Sequence, residues 1–92
     1  MIDTATAQPV MKAITAAQLL DEVPASRSFV ESEGAEWHIT GPIESDWSES
    51  QSGDRRHFVK IPAQFIGDET LGISRTPTKL HLDFDQLIWV EV

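Results

Sequence analysis

The amino-acid sequence predicts an α+β fold: one short N-terminal helix packed on an antiparallel sheet of roughly four to six strands, as a curved sheet or a half-open barrel. Three observations predict it. A helix-start signal at Thr15–Gln18 is cut short by Pro24. Two apolar runs flank the short Glu33-Gly34-Ala35 connection, as in a β-hairpin. Near the C-terminus Leu80, Leu82 and Phe84 alternate with His81, Asp83 and Asp85, which is the period of a strand with one buried face. With 92 residues the chain suffices for one domain with one modest core. Residues 1–10 read as a flexible N-terminal arm and residues 11–92 as a single α+β domain.

In order along the chain, Thr15 can cap a helix beginning at Ala16, Gln18 can reach back to close a capping box, and Ile14 can staple onto Leu19. Pro24 disfavours helical backbone at Val23, which limits the helix to about two turns and leaves Leu19, Leu20 and Val23 for burial. Ser28–Ser32 and Glu36–Thr40 form the hairpin, ended by Gly41-Pro42. Ile43–Arg56, polar and serine-rich, reads as a long excursion with a short strand around Ile43–Trp47. His57–Ile61 is a strand closed by Pro62, followed by a short segment at Gln64–Ile66 and a turn at Gly67–Thr70. The alternating strand at Leu80–Phe84 and an interior strand at Leu87–Val92 complete the sheet, with a tight turn at Asp85-Gln86 between them.

The chain contains no cysteine, so disulfides and thiolate metal sites are excluded, and a cytoplasmic location in a bacterial host is expected. The first ten residues lack the basic and apolar regions of a signal peptide, and no apolar run is long enough to cross a bilayer. Formal net charge is −8, and its distribution is uneven. Between Ser28 and Asp54 stand Glu31, Glu33, Glu36, Glu44, Asp46, Glu49 and Asp54 without one Lys or Arg. Such a field repels nucleic acid and anionic lipid and attracts basic surfaces, so neither direct nucleic-acid nor membrane binding is expected.

Catalytic and cofactor signals are missing from the sequence. No Gly-x-Ser-x-Gly elbow accompanies His38, His57 or His81, and the dispersed glycines make no phosphate loop. His81, Asp83 and Asp85 would share a strand face, but a row on one strand lacks the convergence a metal requires and reads as the solvated side of that strand. No catalytic residue, cofactor or metal is therefore assigned. Arg55-Arg56-His57 with Lys60 is the one basic cluster and reads as a charged strand start that balances the preceding acids, the alternative being a minor contact site for an anionic group.

Glu31 with Glu33, and Glu44 with Asp46, are spaced so that extended backbone projects each pair the same way, about 6.6 Å apart. Trp47, set among acids and serines, is either a core plug from a loop or an exposed anchor of the kind enriched at interfaces. Predicted partner-binding residues are Glu31, Glu33, Glu36, Glu44, Asp46, Trp47, Glu49 and Asp54.

A short, cysteine-free chain, acidic from Glu31 to Asp54 and stiffened by Trp37, Trp47 and Trp89, resembles the small phage-encoded anti-CRISPR and anti-restriction inhibitors in general character, over the whole chain and without an aligned motif. The resemblance implies a non-catalytic, nucleic-acid-mimicking protein that blocks the basic surface of a nucleic-acid-binding protein, such as a Cas effector subunit. The alternative is a structural or assembly module acting through Trp47, the sheet edges or homodimerisation.

Overall fold

The computed structural model describes residues 10–92 and contains seven strands and two 3₁₀ helices. The strands are β1 (Met11–Thr15), β2 (Ser28–Glu31), β3 (Glu36–Ile39), β4 (Glu44–Glu49), β5 (Arg55–Phe65), β6 (Thr78–Asp83) and β7 (Leu87–Glu91). Every pairing is antiparallel, in the order β1-β7-β2-β3-β5-β4, with β6 on β5. The expected α+β class is wrong: the fold is dominated by antiparallel sheet, and the described residues contain no α-helix. The expected flexible arm, residues 1–10, falls almost wholly outside the described residues.

The predicted helix is a 3₁₀ helix at Ala16–Leu20. Its start signal was read correctly in part, since the Gln18 carboxamide oxygen accepts the Thr15 N–H at 2.8 Å. Strand pairing on its N-terminal side keeps it short. Met11–Thr15, assigned no structure from sequence, pairs with β7, and the ladder continues as Ala16 N–H donates to the Gln86 carbonyl at 2.8 Å and Ala17 N–H to that of Phe84 at 3.2 Å. Backbone already committed to a neighbour leaves only one tight turn before Pro24, so Ala16 and Leu19 are buried while Leu20 and Val23 stay exposed.

β5 is the spine of the molecule. Its eleven residues span about 33 Å at strand rise. Pro62 does not end it, contrary to expectation, because of where the proline nitrogen points. Thr40 N–H donates to the Pro62 carbonyl at 2.8 Å, which places residue 62 on the β3/β4 side of the ladder. There the register breaks: β3 pairs with Ala63–Phe65, β4 pairs with Arg55–Lys60, and Thr40–Ile43 bulge out between them. A missing donor costs little at such a bulge. The same break is served by Gly41, where a Cβ would lie 3.3 Å from the Pro62 ring.

The inner face gathers Phe29, Trp37, Ile39, Val59, Ile61, Ala63, Phe65, Leu82, Ile88 and Val90 with Ala16 and Leu19 of the 3₁₀ helix in one core. Trp37 and Phe65 meet edge to face at 5.5 Å between ring centroids. β7 lies between β1 and β2, the interior position expected of it. β6 and β7 are not paired with each other: after a turn closed by Gln86 N–H on the Asp83 carbonyl, β7 leaves to join β1 and β2.

Candidate functional site

The polar segment read as an excursion is a hairpin. β4 and the first half of β5 pair from Glu44 opposite Lys60 to Glu49 opposite Arg55. Its tip closes as Ser50 N–H donates to the Asp54 carbonyl at 2.9 Å and Gly53 N–H to the Ser50 carbonyl at 2.9 Å, with Gly53 at φ 88°. A three-residue loop with glycine in that position is a favoured hairpin closure. β6 pairs as far as Phe58 and Phe84 N–H adds a 3.2 Å bond to the His57 carbonyl, so beyond it β4 and Arg55–Arg56 form a two-stranded arm. All six residues of β4 are exposed.

The two faces of this hairpin differ. Residues opposite one another in a ladder share a face, so Ser45, Trp47 and Glu49 lie with Val59, His57 and Arg55 on the continuation of the core side. Glu44, Asp46 and Ser48 lie with Lys60, Phe58 and Arg56 on the outer side. There the Lys60 ammonium stands 3.8 Å from Glu44 and 3.4 Å from Asp46, so two carboxylates share one cation. On the other face the Arg55 guanidinium lies 4.5 Å from the centre of the Trp47 ring. Trp47 does not plug the core; it remains about half exposed. Arg56 is held by Asp83 of β6 through two bonds of 3.0 and 2.7 Å.

Asp46 has a second role. Its Oδ1 accepts the backbone N–H of Trp47 at 2.7 Å, and this bond, with help from Lys60, holds its carboxyl below the ordinary value of 3.8. At the tip, Asp54 accepts the Ser52 hydroxyl at 3.1 Å while its own N–H reaches the Ser50 hydroxyl at 3.2 Å.

Of the predicted binding residues, the structure brings Glu44, Asp46, Trp47, Glu49 and Asp54 together on the hairpin. Glu31, Glu33 and Glu36 lie elsewhere, at the far end of β5, where the Ile66 N–H donates to the Glu36 carbonyl at 3.0 Å. Glu31 accepts the indole N–H of buried Trp37 at 2.8 Å, a contact that belongs to the fold. Glu33 sits in the exposed β2–β3 turn. The acidic segment is thus two separate groups. Sequence reasoning missed Lys60 and Arg55 as direct partners of the hairpin, although the basic cluster around them was noticed.

His38, His57 and His81 stand on different strands; His57 packs on Phe84 and His81 on Phe58, each near 5 Å between ring centroids (5.5 and 5.2 Å). Among the described residues no three His, Asp or Glu side chains converge as metal ligands. A cleft of about 380 Å³ between the end of β7 and the first 3₁₀ helix is lined by Lys12, Ile14, Gln18, Asp21, Pro24 and Val90 among others. It holds no histidine or serine. Among the described residues no helix is long and apolar enough to cross a membrane. No protein-family model, curated protein or solved structure matches this chain.

Proposed function

We propose that the protein is a non-catalytic binding protein that sets the β4–β5 hairpin against the basic surface of a nucleic-acid-handling partner in the bacterial cytoplasm and obstructs it. The observation that carries this reading is the exposure of all six residues of β4, three of them carboxylates, at the edge of the sheet. Glu44 and Asp46 have one ammonium between them, so the outer side of the strand retains unbalanced negative charge. Partner residues are Glu44, Asp46, Trp47, Glu49 and Asp54; Glu31, Glu33 and Glu36 are outside the surface. Spaced carboxylates on a paired strand compete for Lys and Arg rows that hold phosphate, and steering accelerates the encounter. A CRISPR effector subunit is one partner of the required chemistry.

The test is retention of bacterial lysate proteins on the immobilised chain at low and at high salt, with identification by mass spectrometry. Nucleases or CRISPR effector subunits held at low salt and released at high salt are expected. Retention indifferent to salt would transfer support to an assembly module acting through Trp47.

A further inference from the structure

We infer that β4 takes its partner by strand addition, accepting along its free edge an extended segment of another protein that carries Lys or Arg at alternate positions. The inference rests on the hairpin being the binding surface and adds the mode and the partner's chemistry.

Ser50 N–H points at β5, because it donates to the Asp54 carbonyl. Alternation along an antiparallel ladder then turns the amides of Glu44, Asp46 and Ser48 toward β5 and those of Ser45, Trp47 and Glu49 toward the open edge. The Trp47–Asp46 bond agrees, since the Trp47 N–H is taken by a side chain and not by the ladder. Among the described residues no backbone group pairs with this edge.

Open edges are normally guarded by Lys, Pro or a bulge. β1 carries Lys12, and β6 carries Lys79 just after Pro77; β4 carries neither Lys nor Pro. Beyond its own carboxylates and the Thr40–Ile43 bulge that precedes it, its one guard is the Asp46 carboxylate on the Trp47 amide, which an incoming strand can displace. An incoming carbonyl replaces the carboxylate, which then needs a cation beyond its share of Lys60. A Lys or Arg of the added strand, on the face of Glu44 and Asp46, supplies it. A second copy of the chain does not: with these amide directions, pairing β4 antiparallel with itself about its centre sets Asp46 opposite or diagonal to its own equivalent.

The experiment titrates the isotopically labelled chain with an acetylated octapeptide alternating Lys with Thr, and follows amide resonances and hydrogen exchange. Saturable binding with slowed exchange at the Ser45, Trp47 and Glu49 amides, and little change at Glu44, Asp46 and Ser48, is expected. Ser45→Pro removes one outward donor while sparing the ladder to β5, and should weaken binding about tenfold. Absence of saturable binding, or binding that leaves exchange of the three outward amides unaltered, overturns strand addition. The double reversal Glu44→Lys/Asp46→Lys separates the two levels: peptide binding lost there but unchanged in Ser45→Pro removes strand addition and leaves the acidic hairpin standing, whereas binding unchanged in the reversal removes the hairpin reading itself.

Discussion

Glu31 and Asp46 are strand carboxylates of one acidic segment, and the fold uses them differently. Glu31 satisfies the indole N–H of buried Trp37. Glu31→Ala leaves that donor without its partner, and urea unfolding should show a loss of about 1–3 kcal/mol. Asp46 is at the surface, and its depressed pKa arises first from the Trp47 N–H and next, among the favourable contacts, from Lys60. A carboxyl depressed in the folded state stabilises above its unfolded pKa and stops doing so as pH falls through the folded value. The Asp46 contribution, and that of Asp68, whose carboxylate accepts the Thr70 N–H at 2.9 Å, should therefore be present above the ordinary value of 3.8 and be lost progressively as pH falls from there through the lower folded value. Carboxyl carbon shifts followed against pH should place both midpoints under the ordinary aspartate value; a midpoint at or above it would show the hydrogen bonds to be absent in solution.

At the scale of elements, what could be read in advance was what periodicity and turn chemistry write into neighbouring residues. The β2–β3 hairpin at Gly34 and the strands at β6 and β7 were legible for that reason. β1 was not, because Met11–Thr15 alternates weakly and owes its conformation to β7, some seventy-five residues away in sequence (Met11 opposite Glu91, Thr15 opposite Leu87). Pro62 misled by its usual meaning: the direction of a missing N–H depends on ladder parity, which single-sequence patterns do not carry. β4 was underread because a strand exposed on both faces has no hydrophobic alternation. The same gap hid the relation of Lys60 to Glu44 and Asp46, which exists only once the hairpin register is set. Hairpin and body should also separate in stability. Amides of Glu49–Arg56, with no third strand over them, should exchange much faster than those of Val59–Phe65, and equal protection would show the arm packed on something else.

The whole molecule hangs on one core strung along β5, with Val59, Ile61 and Ala63 fully buried. Ile61→Ala should cost about 2–5 kcal/mol, a large share of the ~5–15 kcal/mol typical of small domains, and thermal unfolding should register it as one cooperative shift. Charge is distributed over the molecule without regard to that core. Its sum of −8 counts equally the acids beside β2 and β3 and those on the hairpin, although only the latter occupy an open edge. The most direct measurement compares two double reversals that change net charge identically: Glu44→Lys/Asp46→Lys on the hairpin and Glu33→Lys/Glu36→Lys at the opposite end of β5. Partner binding in a salt-controlled pull-down should disappear for the hairpin pair and persist for the other; equal loss in both would mean that net charge, and not the β4 edge, attracts the partner.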